Sequence, residues 1–275
     1  MWGTVIKLGH TMTTAHSSGG GDISRSLRLM WEGRESPNRG PRPGLTLDGI
    51  VTAAIELADR EGLSALSMRK VAAELGVGTM TLYRYVPAKE ELLDLMLDRV
   101  NGPAPGHDAE RFTGLPWRQC LSEIAQGSYA TYLRHPWLLQ VNQSRPLLGP
   151  NALLGFEVSL TGLRSLPLTG REKVAVISTI DAFVTGLART HVLAQQLAEQ
   201  SGVSDEEFWN AQAPLMETAL HSGAYPEVFA LPDNTFDMTG EEMFAFGLDR
   251  VLDGLEVYFA RPEAAADPVS GTGCG

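Results

Sequence analysis

Apolar residues recur at helical spacing along most of this chain, and the clearest case begins at Thr46. Four apolar positions follow at i, i+4, i+7 and i+8, on one face of a helix: Ile50, Ala54, Leu57 and Ala58. Thr46 can cap this helix and Gly62 can stop it, so the helix is predicted to run to about Arg60. No stretch shows the sustained alternation of a half-buried strand. The pattern therefore predicts an all-α fold.

Two short helices joined by a tight turn are predicted between Ser67 and Lys89. Ser67 can cap the first helix, whose apolar stripe consists of Met68, Val71, Ala72 and Leu75. Gly76 can take a left-handed conformation in the turn, and Thr79 is expected to cap the second helix. Pro87 ends that helix, which directs two residues to the core, Leu82 and Val86. This is the helix-turn-helix pattern, whose second helix enters the DNA major groove.

Helical patterns continue through the rest of the chain. A fourth helix is predicted from about Lys89 to Val100. Beyond a boundary loop at Asn101–Gly114, further helices are predicted at Leu115–Arg134, Leu138–Asn142, Asn151–Ser165, Asp205–His221, from Thr169 to about residue 200, and from Thr239 or Gly240 to about Arg261. Thr169 with Glu172 matches a capping box.

These patterns divide the chain into four segments. Residues 1–44 are predicted to be a disordered N-terminal extension with a possible short helix, capped by Asp22, and a basic arm at residues 39–44. Residues 45–101 form the predicted helix-turn-helix domain. Residues 102–262 are predicted to form a second, helical domain, and residues 263–275 a disordered tail.

The distribution of charge distinguishes the two main segments. The chain has a formal net charge of −11, from 22 Lys and Arg against 33 Asp and Glu. Residues 1–101 contain 12 of each kind, whereas residues 102–275 contain 10 basic and 21 acidic residues. The asymmetry fits a DNA-reading head on an acidic body that limits non-specific binding. An ordinary acidic cytosolic protein is the alternative, and the charge alone does not exclude it.

Three stretches resemble a known family. The run LGVGTMTLYRYVPAKEELLDLM (Leu75–Met96) resembles the recognition helix and following helix of TetR-family transcriptional repressors. RHPWLL (Arg134–Leu139) and FGLDRVLDGLEVYF (Phe246–Phe259) resemble, more loosely, the C-terminal domain of the tetracycline-repressor type. The resemblance implies a three-helix, homeodomain-like head joined to a helical-bundle domain, residues 102–262, for ligand binding and dimerisation. It also implies a homodimer, a pseudo-palindromic operator in double-stranded DNA and a small-molecule inducer.

The resemblance and the chemistry of the side chains together predict the DNA contacts. Hydroxyl, phenol and ammonium groups can bind phosphates or base edges, and arginines of the basic arm can enter the minor groove. The predicted contacts are Arg39, Arg42, Ser67, Arg69, Thr79, Met80, Thr81, Tyr83, Tyr85 and Lys89. The arm could instead be a linker with solvated arginines, and Tyr83 could be half in the core. Thr79 lacks the amide that the tetracycline repressor has there, so a different operator is expected.

The helical body supplies predictions for a ligand site and a dimer interface. Aromatic and polar residues suited to a ligand cavity are Tyr129, Trp137, Gln140, Asn142, Phe156 and Thr185. The last helix has apolar residues on several faces, and one face is enough for the core of a monomer, so a second face indicates a partner. The resemblance implies a four-helix interface between two copies of the long helix and the last helix. The predicted contacts are Phe183, Leu187, Phe246, Leu252 and Leu255, and the alternative is a last helix that is fully buried in a monomer. Neither His107 nor His135 matches the family's metal-binding histidine, so no metal and no other cofactor is predicted.

Several classes of protein find no support in the sequence. The glycine and nucleophile motifs of common enzymes are missing, and two cysteines form neither a disulfide framework nor a zinc spacing. No apolar run is long enough to span a bilayer, so a cytoplasmic location is expected. The leading hypothesis is a dimeric, ligand-released transcriptional repressor and not an enzyme. The alternative is a helical small-molecule-binding protein whose head does not act on DNA.

Overall fold

A computed structural model describes residues 16–33, 45–103 and 110–261, and their regular structure is almost entirely helical. The first helices are α1 (Ile23–Glu32), α2 (Leu47–Glu61), α3 (Met68–Glu74), α4 (Thr79–Tyr83) and α5 (Lys89–Val100). They are followed by α6 (Trp117–Arg134), α7 (Pro150–Gly162), α8 (Gly170–Ser201), α9 (Asp205–Asn210), α10 (Ala213–His221), α11 (Pro226–Phe229) and α12 (Gly240–Phe259). Short 3₁₀ helices span Leu63–Ala65, Pro136–Gln140 and Asp233–Phe236. The all-α prediction is confirmed.

Two very short strands depart from the helical pattern. β1 (His16–Ser17) pairs in parallel with β2 (Val141–Asn142), with His16 opposite Val141. The helix predicted at Leu138–Asn142 is wrong, because this stretch is the end of a 3₁₀ helix followed by β2. The pairing joins residues that are far apart in sequence, so a local pattern could not reveal it.

The described chain forms two compact units. The first combines the described residues up to Thr113 with Ala130–Val158, and the second combines Gly114–Tyr129 with the described residues from Ser159 onward. Helices α6 and α7 each contribute residues to both units. Within the predicted N-terminal extension, residues 16–33 contain β1 and α1, and Asp22 caps α1 as expected. The four-segment division of the sequence stays a prediction.

The core of the first unit is built mainly by α2, α3, α4 and α5. Thr46 caps α2, since its hydroxyl accepts a hydrogen bond from the Gly49 N–H at 3.0 Å, an interaction that stabilises a helix by about 1 kcal/mol. The largest side chains that are fully buried in this core include Ile50, Leu57, Leu63, Leu66, Leu82, Leu92 and Met96. Burial of each such side chain contributes roughly 1.5–3 kcal/mol, so this core can hold a small head together.

Trp137 belongs to the same core. Its side chain is 1% exposed and its Nε1–H donates to Asp59 Oδ1 of α2 at 2.7 Å. The Nδ1 atom of His135 lies 2.7 Å from the same oxygen. The indole and its hydrogen bond are therefore explained by packing within the first unit.

In the second unit, α8 packs against α12. In both helices the buried residues recur at every fourth position. Those of α8 are Val176, Ile180, Val184, Ala188 and Val192. Those of α12 are Phe244, Leu248 and Leu252. The predicted capping box at Thr169 and Glu172 is confirmed. Hydrogen bonds from Thr169 and then from Tyr258 lower the pKa of Glu172 to about 2.

The stretch between α8 and α12 is more broken than the sequence suggested. A single helix was expected at Asp205–His221, but α9 and α10 are separate. Pro214 lies in the first turn of α10, where its missing N–H costs no helical hydrogen bond, whereas the middle of a longer helix would exclude it. Tyr225–Asn234, where no helix was predicted, contains α11 and the start of a 3₁₀ helix.

Candidate nucleic-acid interface

The turn between α3 and α4 follows from a few local signals. The Ser67 hydroxyl accepts a hydrogen bond from the Lys70 N–H at 3.3 Å and so caps α3. Gly76 has a φ of +64°, in the left-handed region that favours glycine. One detail of the prediction is wrong: Gly78, not Thr79, is the N-cap of α4, and no side chain caps this helix. Thr79 is the first helical residue.

Helix α4 has one face in the core and another at the surface. Leu82 is buried, as is Val86 just beyond the helix. Met80 is 77% exposed, Tyr83 and Tyr85 are 40% and 37% exposed, and Thr81 is also at the surface. Tyr83 is thus a surface residue in this unit and not part of its core. A large apolar side chain as exposed as Met80 is typical of a contact surface.

Positive charge surrounds this exposed face. Residues 75–89 contain no Asp or Glu. Two nearby cations are neutralised, because Lys70 of α3 pairs with Glu61 at 2.8 Å and Arg60 of α2 pairs with Glu74 at 2.5 Å. Three other cations near α4 form no ion pair with any residue that the structure describes. Two of them, Arg69 and Lys89, are predicted DNA contacts, and the third is Arg84.

Arg84 was missed by the sequence analysis. It is exposed and forms the C-cap of α4, between the two surface tyrosines. Its position within the quoted recognition-helix run was the signal that could have identified it.

Lys89 opens α5 at the edge of the same surface. The N-cap of α5 is Ala88, which offers no side-chain hydrogen bond, so the first N–H groups of this helix have no side-chain cap. A half-exposed lysine beside such a helix end is suited to a phosphate group. Glu90 and Glu91 also lie in this first turn and oppose an anion. Arg39 and Arg42 of the predicted arm lie outside the described residues.

The residues predicted for a ligand site are divided between the units. Trp137, Gln140, Asn142 and Phe156 belong to the first unit, and Tyr129 and Thr185 to the second. The Tyr129 hydroxyl lies 2.8 Å from His191 Nδ1, and its ring stacks on Phe244 at 4.3 Å. Burial raises the pKa of Tyr129. His191 and Phe244 were not identified from sequence, since neither stands in a motif.

The predicted dimer residues have different environments. Phe246 is 57% exposed, whereas Leu187 and Leu255 are half-buried. The Phe183 ring lies 5.9 Å from that of Phe244, between α8 and α12 of its own chain. Leu252 is 1% exposed in the single chain. Its prediction as an interface contact is wrong, because it is enclosed by its own unit.

Neither a metal cluster nor a membrane helix occurs among the described residues. Across residues 16–33, 45–103 and 110–261, no three His, Cys, Asp or Glu side chains come together as a metal site would require. His135 lies against Asp59, and His107 is outside those ranges. No described helix is both long and apolar enough to cross a membrane.

A three-helix head whose last helix, α4, is exposed and flanked by Arg69, Arg84 and Lys89 defines a helix-turn-helix DNA-binding protein, and comparison with known families agrees. Residues 50–96 match the family model described as bacterial regulatory proteins, tetR family. Residues 113–259 match the tetracyclin repressor-like C-terminal domain. The chain belongs to the TetR family of transcriptional regulators.

Known members of the family resemble the chain over most of its length. The HTH-type transcriptional repressor DrrR1 from Streptomyces coeruleorubidus is 51% identical over 255 residues, 93% of each chain. Apo ActR from Streptomyces coelicolor has 27% identity and a TM-score of 0.59, covering 79% of this chain and all of that one. ActR in complex with actinorhodin has 28% identity, the same coverage and a TM-score of 0.52.

Proposed function

We propose that this regulator is a dimeric repressor that binds a pseudo-palindromic operator and leaves it when a small-molecule inducer binds. The observation that carries the proposal is the exposed, acid-free surface of α4 and its flanks. A helix of this kind fits the major groove, where side chains reach base edges, while cations at its rim neutralise phosphates. The proposed contacts are Ser67, Arg69, Thr79, Met80, Thr81, Tyr83, Arg84, Tyr85 and Lys89.

The DNA surface is tested by three single substitutions in the whole chain. Fluorescence anisotropy measures binding to the duplex upstream of the protein's own gene and to a scrambled duplex. Lys89→Ala should weaken binding to both, whereas Met80→Ala should mainly reduce the preference for the upstream duplex, since an apolar side chain in the groove contacts bases and a lysine binds the backbone. Arg99→Ala is the matched control, because Arg99 lies at the other end of α5 and pairs with Asp48. Equal effects of Lys89→Ala and Arg99→Ala would contradict the proposed surface.

The dimer is supported by a second apolar face on α12. The exposed apolar side chains of Met243, Phe246 and Val257 lie on the side of the helix opposite to its buried core residues. An apolar helix face that one chain leaves uncovered can be buried by a second copy. Phe246→Asp should produce a monomer in analytical ultracentrifugation, whereas Met80→Asp, which adds the same charge to the head, should leave the dimer intact. A dimer that survives Phe246→Asp would refute this interface.

The inducer is proposed to bind in the second unit near Tyr129 and Thr185. The support is the aromatic pair of Tyr129 and Phe244 with the polar contact to His191, together with the actinorhodin complex of ActR. Actinorhodin is therefore the first probe, added to the anisotropy assay. It should release the upstream duplex from the wild type and do so less readily from Tyr129→Phe, which keeps the ring and loses the hydroxyl. Release that is identical in both proteins would exclude Tyr129 as a contact. A regulator that works in this way would act in the cytoplasm and would need no enzymatic activity.

A further inference from the structure

Helix α5 buries a row of carboxylates in the first unit. Every residue from Glu91 to Asp98 is buried, including three acids at i, i+3 and i+7, which share one face of the helix: Glu91, Asp94 and Asp98. The leucines and Met96 between them contribute to the apolar core. Buried carboxylates are costly unless hydrogen-bonded or paired, so the contacts that cover this face matter for its stability. Glu91 Oε2 is an exception, because it is buried without a hydrogen bond from any described residue.

Residues 16–33, here called the N-terminal strap, cover the first two of these acids. Asp94 accepts hydrogen bonds from the Gly19 N–H at 2.8 Å and from the Ser26 hydroxyl at 2.7 Å. Arg25 pairs with Glu91 at 3.5 Å. Desolvation by burial raises the pKa of Asp94, and the two hydrogen bonds oppose that rise. The strap is thus fixed to α5 by specific polar contacts and not only by apolar packing.

The strap also lies directly on the first turn of α5. A Cβ atom at Gly21 would be 3.0 Å from Glu90 Cβ, so only a glycine fits this approach without displacing its neighbour. Burial and then the charge of Lys89 lower the pKa of His16, whereas the charge of Glu90 raises it, as expected for an imidazole beside both. The start of the strap therefore adjoins Lys89, the proposed phosphate contact.

The same strap is attached to a second element of the unit. The Ser18 N–H donates to the Asn142 carbonyl at 3.0 Å, next to the β1–β2 pairing, and Trp31 Nε1–H donates to the Leu148 carbonyl at 3.3 Å. Asp98, the third acid, accepts from Asn151 and Ala152 at the start of α7. The strap therefore ties the first turns of α5 to residues 141–148.

We propose that the N-terminal strap is a positioning element of the DNA site, in which Asp94 anchors the strap so that the first turn of α5 holds Lys89 against a phosphate. This inference rests on the proposed function, because it concerns the same DNA. The strap lies outside the segments, 50–96 and 113–259, that match the family models. Asp94 is a positioning residue, since it acts through Lys89 and does not face DNA.

A double-mutant cycle separates this role from a purely structural one. Binding of the upstream duplex by the full chain is measured at several salt concentrations for wild type, Asp94→Ala, Lys89→Ala and the double variant. Asp94→Ala should lower the salt slope of the binding constant by about 1 for each phosphate that Lys89 no longer neutralises, hence by about 2 for a dimer. Adding Lys89→Ala to Asp94→Ala should then weaken binding little further, because the two residues serve the same phosphate.

Two controls make the cycle decisive. Arg69→Ala, on α3, should remain additive with Asp94→Ala, since Arg69 does not touch the strap. Ser26→Ala removes one of the two hydrogen bonds to Asp94. If Asp94→Ala does not fold, Ser26→Ala takes its place in the cycle. A normal salt slope in Asp94→Ala and Ser26→Ala, with additive effects of Lys89→Ala, would show that the strap only stabilises the fold. A wild-type chain without preference for its upstream duplex would instead refute the proposed function, together with the inference that rests on it.

Discussion

Leu82→Ala should destabilise the head, whereas Met80→Ala, two residues away, should not. Leu82 is fully buried in the core of the first unit, and Met80 is 77% exposed on the same five-residue helix. Removing a buried leucine side chain costs roughly 2–5 kcal/mol, and we expect about 3 kcal/mol here because α4 is short and can relax partly into the cavity. A surface substitution such as Met80→Ala should stay within about 0.5 kcal/mol.

Urea unfolding followed by circular dichroism measures both effects. With a slope of about 2 kcal/mol per molar urea, the midpoint for Leu82→Ala should fall by about 1.5 M, and that for Met80→Ala should be unchanged. DNA binding should give the opposite order at low temperature, where both heads are folded: Met80→Ala should weaken binding by about 1 kcal/mol, roughly fivefold in Kd. A stability loss that is equal for the two variants would refute the assignment of the two faces of α4.

Three further predictions concern stability. Asp59→Ala should cost about 2–3 kcal/mol because it leaves the buried Trp137 indole N–H without an acceptor, and Asp59→Asn should cost less in the same urea assay. Gly76→Ala should cost about 1–2 kcal/mol at its φ of +64°, whereas Gly78→Ala, at a φ of −71°, should be nearly neutral. The lowered pKa of Glu172 stabilises the fold above pH 4.5, and that stability is lost as the pH falls towards 2, so Glu172→Gln should reduce the difference between melting temperatures at pH 5 and pH 2.

Features that depend on sequence signals of short range were predicted well in both units. The caps at Thr46 and Ser67, the left-handed Gly76 and the capping box at Thr169 each depend on residues within one turn, so local spacing was sufficient. The separation of α4 into a buried and an exposed face followed from helical periodicity in the same way. The exposed Arg84 was missed although it stands within the quoted run.

Features that depend on distant contacts could not be predicted in this way. The β1–β2 pairing of the strap joins residues more than a hundred positions apart, and no periodicity records such a pairing. Trp137 was assigned to a ligand cavity because aromatic residues suit one, but its hydrogen bond to Asp59 places it in the core. Leu252 was assigned to the dimer interface from an apolar pattern that does not tell the core face of α12 from its outer face.

The most direct test of the DNA-binding surface compares the binding of the wild-type chain to its own upstream duplex and to a scrambled duplex over a range of salt concentrations. We expect tighter binding to the upstream duplex and a binding constant that falls steeply with salt, since Arg69, Arg84 and Lys89 would displace counterions from phosphates. Weak binding without a preference between the duplexes would contradict it and would favour a small-molecule-binding protein whose head does not act on DNA.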